Sequence, residues 1–306
     1  WANPSQSEFL RSLHLLMKRS EPELRGAPQK KRVKIVTFSH GQCPSIEING
    51  RYSARHLGVR EVMFQVLKRA EVYAPEYLGK QDLWVCNGSI VAMGSDLPAL
   101  PKALPYEEVD LKGARLIPGL IDAHVHATGG GGEDGPATRV PPLKLNALTR
   151  AGVTSCVGVL GTDTTTRTMR DLVATTLGIR DQGISAWCYT GGYQVPPATL
   201  TGSVRDDIVF IEPIIGVGEL ALSDHRSSQL TIDELLRVAS DAYTAGLMSG
   251  KAGLVHLHLG DGERQFDLLE QALEIAEIPP RVYHPTHVNR QVHTNVQMLT
   301  DPRYSA

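Results

Sequence analysis

Two histidines one residue apart, His124 and His126, close the run Pro118-Gly119-Leu120-Ile121-Asp122-Ala123-His124-Val125-His126. Side chains of an extended strand alternate between faces, so both imidazoles point the same way. Neutral imidazoles side by side suit a borderline divalent cation such as zinc. A lone His-x-His is a modest signal, because packed or surface histidines produce the same pattern. Recurrence strengthens it. Eight of the eleven histidines fall after residue 120, and later apolar runs end in Glu219, in His256 and His258, and in His284 and His287. Imidazoles and a carboxylate gathered at successive strand ends are the ingredients of a hydrolytic metal site.

Those ends need strands to carry them. Apolar, β-rich runs cover 116–125, 155–160, 186–190, 214–222, 254–259 and 281–288, with helical stretches at 142–151, 167–182, 232–245 and 265–275 and a short helix between 198 and 214. Continuous apolar strands alternating with helices predict an α/β fold whose parallel sheet is covered on both faces. Six βα steps are counted from Arg115 onward. An eight-step barrel needs about 250 residues, more than this stretch holds, so the expectation is a TIM-like (β/α) barrel with about six of eight βα units. Upstream, 62–73, 82–93 and 107–111 read as strands, with Asn87-Gly88 as a hairpin turn. The expected organisation is a basic, poorly patterned extension at 1–61, part of a small β-sandwich domain at 62–114, and the incomplete barrel at 115–306. Phe9 to Met17 reads as one short amphipathic helix, and Met63 as a possible original start for a chain that opens at Trp1.

Composition narrows the function class. No apolar run approaches the roughly 18–20 residues of a transmembrane helix, so no membrane role is expected. Cys43, Cys86, Cys156 and Cys188 form no Cys-x-x-Cys pair, which fits a reducing, cytoplasmic setting rather than a disulfide scaffold. Residues 1–61 hold 11 Lys/Arg against 5 Asp/Glu, and the remainder 20 against 28. The basic run Gln29–Lys34 lacks interleaved aromatics and reads as a solvated tail, so no nucleic-acid partner is expected. Gly216-Val217-Gly218-Glu219-Leu220-Ala221 fits a loose dinucleotide fingerprint, but it lies inside a strand rather than at a strand-to-helix turn.

The first-strand segment Leu116–His126 resembles the opening motif of the amidohydrolase superfamily, whose members carry binuclear zinc on a TIM-like, metal-dependent hydrolase barrel. Within it the chain is similar to the isoaspartyl (β-aspartyl) dipeptidases. The supporting segments are Gly129-Gly130-Gly131-Gly132-Glu133, Gly158–Asp163, Thr190-Gly191-Gly192-Tyr193, Thr201-Gly202-Ser203-Val204, Ser223-Asp224-His225-Arg226 and Thr286-His287-Val288-Asn289-Arg290. They run in family order over about residues 62–292.

The resemblance implies two zinc ions per subunit, one on His124 and His126 and one on His258 and His287, bridged by Glu219. Some family members place a carbamylated lysine at that bridge. A glutamate there implies no dependence on carbon dioxide. His256 faces the same way as His258 and reads as a supporting or core residue. The implied substrate is an isoaspartyl dipeptide, with Glu133 pairing with its amino group, Arg226 and Arg290 clamping its carboxylates, Thr162 as a further contact and Tyr193 polarising the scissile carbonyl. Asp224 and His225 would shape the turn that presents Arg226.

The implied reaction is amide hydrolysis by a zinc-activated bridging water, with Glu219 and Tyr193 as the catalytic residues. The family's proton shuttle is an aspartate on the eighth strand. This chain lacks a counterpart, and Asp301, before Pro302, is not a substitute. A truncated metallopeptidase of lowered or absent activity is therefore expected, from a family whose full-length members are homo-oligomers. The alternatives are another amidohydrolase, of dihydroorotase or hydantoinase type, and a non-catalytic zinc-binding fragment.

Overall fold

The computed structural model describes residues 15–18 and 34–36 as backbone and 64–290 with side chains, that of Arg290 excepted. The basic patch at 29–34, apart from the backbone of Lys34, and the tail beyond Arg290 lie outside the described residues.

Two sheets are present. The first contains β1 (Leu15–Lys18), β2 (Lys34–Val36), β3 (Phe64–Tyr73), β4 (Tyr77–Cys86), β5 (Ser89–Gly94), β6 (Glu107–Asp110) and β7 (Arg115–Pro118). Its order is β2-β1-β7-β3-β4-β5, with β6 also pairing with β3. The β4–β5 hairpin turns at Asn87 and Gly88, both at positive φ, as an Asn-Gly two-residue loop requires. Leu67, Leu83, Val85 and Leu116 pack a small core on this sheet. The helix expected at Phe9–Met17 is not what forms over its last residues. Leu15–Lys18 instead pairs antiparallel with Arg115–Pro118, supplying β7 with backbone partners that a helix could not offer.

The second sheet is wholly parallel and follows chain order: β8 (Leu120–Val125), β9 (Val153–Gly158), β10 (Ser185–Thr190), β11 (Ile214–Leu222), β12 (Leu254–Leu259) and β13 (Tyr283–Thr286). It curls as part of a TIM-like barrel. The run at 116–125, expected as one strand, is divided between the sheets. Pro118 has no N–H to donate, and the chain passes through Gly119 from the first ladder to the second.

Helices cover the outer face: α1 (Leu145–Ala151), α2 (Met169–Asp181), α3 (Val204–Phe210), α4 (Ile232–Ser249) and α5 (Asp267–Ile275). Their starts are written locally. Thr168 and Ser203 cap α2 and α3, and Thr231 with Glu234 forms a complete capping box on α4. The apolar stripes of these helices, including Leu172, Ile208, Leu235 and Leu269, pack on Val217, Leu220, Val255 and Leu257 from the sheet. One face of β11 and β12 is thereby committed to the helices, and the alternate residues Glu219, His256 and His258 are left to the inner face. Among the described residues no helix is long and apolar enough to cross a membrane.

Candidate metal centre and substrate cavity

Glu219 is the hub. It is fully buried where the register between β11 and β12 shifts at Gly218–Leu220. One carboxylate oxygen, Oε1, faces Nε2 of His124 at 3.5 Å and Nε2 of His126 at 3.7 Å. The other, Oε2, faces Nδ1 of His258 at 2.9 Å and Nε2 of His287 at 3.9 Å. These residues form two groups sharing Glu219, with donor atoms close enough to hold one ion each. Three of the four separations exceed hydrogen-bond length. They approach the gap of about 3.4 Å between two ligands of a tetrahedral cation with bonds near 2.1 Å. A donor set of four imidazoles and one carboxylate fits zinc.

Local structure places each ligand candidate. The pleat of β8 aims His124, and His126 follows directly where the strand ends. Gly161 holds a positive φ and passes so near that a Cβ there would lie 2.6 Å from Cε1 of His126. His287 follows β13 with φ 61°, a left-handed backbone that costs a non-glycine residue on the order of 1–3 kcal/mol and is concentrated at functional sites.

A layer of imidazoles lies behind the first. His256, fully buried and stacked on Tyr189, places Nε2 2.8 Å from Nδ1 of His124 and Nδ1 3.0 Å from Nδ1 of His284. Burial, then the neighbouring His284, His124 and His287, push its pKa down to about 2, so it is neutral. A neutral imidazole has one donor and one acceptor. With Nε2 of His124 given to a metal ion, the chain would run from His124 Nδ1–H to His256 Nε2, and from His256 Nδ1–H to His284. His284 thus stands in this supporting layer rather than in either ligand group.

His258 is contacted by two further side chains. The Tyr193 hydroxyl lies 2.7 Å from Nδ1 and 3.0 Å from Nε2, and Oδ2 of Asp224 lies 3.1 Å from Nε2. Asp224 also takes Nε and Nη2 of Arg226 at 2.9 and 2.7 Å and its backbone N–H at 2.8 Å. The Arg226 hydrogen bonds hold the Asp224 carboxyl well below the usual carboxylate range, against its burial. The same pairing raises the Arg226 pKa and keeps it charged. Its guanidinium sits 5.4 Å from the centre of the Tyr193 ring.

Across a cavity of about 670 Å³, Nη1 of Arg226 reaches Oε1 of Glu133 at 3.4 Å. Thr162 donates to that same oxygen at 2.6 Å, the main reason Glu133 is held below its usual pKa. The cavity is lined by His124, His126, His258 and His287 together with Glu133, Thr162, Tyr193 and Arg226. Arg290 ends the turn Val288–Arg290, and its side chain lies outside the described residues.

Sequence reasoning assigned Asp224 only to a turn and missed its contact with His258. It also missed Arg167. A positive charge immediately before a helix N-cap, here Thr168, opposes the helix dipole and could have signalled a buried counter-charge.

No protein-family model matches the chain. Two solved structures resemble it closely. One is a β-aspartyl dipeptidase from the thermophilic, keratin-degrading Fervidobacterium islandicum AW-1 in complex with the β-Asp-Leu dipeptide. It is 44% identical with a TM-score of 0.76, over 79% of this chain and 62% of its own. The other is a structure of a β-aspartyl dipeptidase from the same organism, 45% identical with a TM-score of 0.75, over 78% of this chain and 64% of its own. The chain spans less than two thirds of the length of either.

Proposed function

We propose, from the premise that this chain belongs to the amidohydrolase family beside the β-aspartyl dipeptidases, that its site hydrolyses isoaspartyl dipeptides with two zinc ions. His124, His126, Glu219, His258 and His287 would hold them. When bound, the ions supply Lewis acidity, lowering the pKa of a water and polarising the amide carbonyl.

The observation that carries this reading is the placement of a charged carboxylate and a charged guanidinium on the same cavity as the histidine cluster. An isoaspartyl dipeptide presents an ammonium group and two carboxylates. Glu133 stays ionised beside Thr162 and suits the ammonium. Arg226 is anchored through Nε and Nη2 on Asp224, while its Nη1 makes only the 3.4 Å contact with Glu133. That nitrogen is the one to turn toward a substrate carboxylate, with Arg290 as the second carboxylate partner. The Tyr193 hydroxyl donates where negative charge develops on the carbonyl oxygen. Water adds to the carbonyl carbon, the C–N bond breaks, and the proton released by water ends on the leaving amine.

The test is to load the 306-residue chain with zinc, measure metal content, and assay β-Asp-Leu beside dihydroorotate. Two ions per chain are expected, with turnover of β-Asp-Leu that is slow, because the eighth-strand aspartate has no counterpart here, and none of dihydroorotate. Preference for dihydroorotate would reject the substrate assignment. Two ions without any turnover would reject hydrolysis by this chain.

A further inference from the structure

The glycine-rich loop that carries Glu133 is held from behind by a buried cation. Arg167 is 3% exposed, yet it lies 34 residues further along the chain, ahead of α2. Its Nη2 donates to the Gly130 carbonyl at 2.7 Å and its Nη1 to the Gly131 carbonyl at 3.2 Å. The same Nη1 pairs with Oδ2 of Asp163 at 3.0 Å. Asp163 is itself fixed by the backbone N–H groups of Thr165 and Thr166 at 3.1 and 2.8 Å and by the Thr166 hydroxyl. The segment 162–167 therefore grips the loop twice, through Thr162 on the Glu133 carboxylate and through Arg167 on two loop carbonyls.

The loop needs such a grip. Gly129, Gly131 and Gly132 all have positive φ, and four consecutive glycines lose more conformational freedom on ordering than any other residues would. Its own backbone contributes Gly129 N–H to the His126 carbonyl, Val140 N–H to the Gly130 carbonyl and Gly135 N–H to the Gly132 carbonyl, and leaves the Gly131 carbonyl to Arg167. A planar guanidinium can bridge two carbonyls and a carboxylate at once, which an ammonium cannot do with the same geometry.

We propose that Arg167 is a positioning residue for the recognition of the substrate's α-amino group: it locks the Gly129–Gly132 loop so that Glu133 meets the ammonium. This rests on the dipeptidase reading for its substrate and on the loop contacts alone for its structural half.

Two readouts test it, on Arg167→Met and Arg167→Lys. The first is hydrogen exchange at the Gly129 and Val140 amides, expected to quicken by about tenfold or more in Arg167→Met while the β12 amides are unchanged. The second compares β-Asp-Leu with N-succinyl-leucine, the same molecule without its amino group. The preference for β-Asp-Leu is expected to fall about tenfold, through KM rather than kcat, with Arg167→Lys between the variant and the parent. A merely structural role would slow both substrates equally, and that result overturns the proposal. Unchanged exchange at Gly129 and Val140 in a folded variant also overturns it. If Arg167→Met does not fold, Arg167→Lys carries the same readouts with the charge opposite Asp163 retained. If the parent chain turns over neither substrate, the dipeptidase reading fails, and the exchange measurement still decides whether Arg167 locks the loop.

Discussion

Oδ2 of Asp224 lies 3.1 Å from Nε2 of His258, and the same carboxylate holds Arg226 by two side-chain hydrogen bonds. One buried acid thus joins a ligand candidate of the histidine cluster to the cation at the substrate side. A displacement of either is transmitted to the other through a single rigid group.

Asp224→Asn should destabilise the protein in a pH-dependent way. The folded carboxyl is depressed by Arg226, so its contribution is present above the unfolded value of about 4 and is lost as pH falls below it. At pH 7 the variant should be less stable by on the order of 1–3 kcal/mol. Denaturant melts from pH 7 to pH 3 should show the gap narrowing in acid. A gap independent of pH would remove the ionised Asp224 from the account.

Glu219→Gln keeps the shape of the hub and removes its charge. The metal content of the zinc-loaded chain should fall from two ions to about one or fewer, read by plasma mass spectrometry. A variant that still holds two ions would show that Glu219 is not the bridge.

Gly161→Ala should disturb one side of the cluster only. The added methyl group would sit 2.6 Å from His126 Cε1, whereas at Gly202, also at positive φ, it would meet nothing within 4 Å. Both variants carry a left-handed alanine costing about 1 kcal/mol or more. Only Gly161→Ala should weaken the ion held by His124 and His126. Equal metal affinity in the two variants would mean that the Gly161 contact does not set His126.

Tyr193→Phe removes the hydroxyl that lies against His258. If Tyr193 stabilises the developing oxyanion, kcat for β-Asp-Leu should fall about 100-fold while KM and zinc content stay near the parent values. An unchanged kcat would leave Tyr193 as a packing residue beneath Arg226.

The strand ends that converge on the cavity are legible because the pattern is local. Ile214–Leu222 and Leu254–Leu259 are apolar runs of strand length between helical stretches, and period-2 alternation sets His256 and His258 on one face. The run at 116–125 shows the limit of that reasoning. Pattern alone cannot divide an apolar run between two sheets, because both halves carry the same apolar, strand-favouring residue types. Leu15–Met17 was misread as helix for a related reason: short apolar segments fit either period, and β7 decides which is used.

By itself, the sequence determines the alternation of strands and helices after Leu120, the Asn87-Gly88 turn and the residues able to do chemistry, all of which depend on residue type within a few neighbours. Tertiary structure alone decides that His256 supports His124 across 132 positions, that Asp224 touches His258 across 34, and that Arg167 reaches back 37 to Gly130. These contacts exist because parallel strands from distant parts of the chain lie side by side and bring their ends, with their loops, to one edge of the sheet.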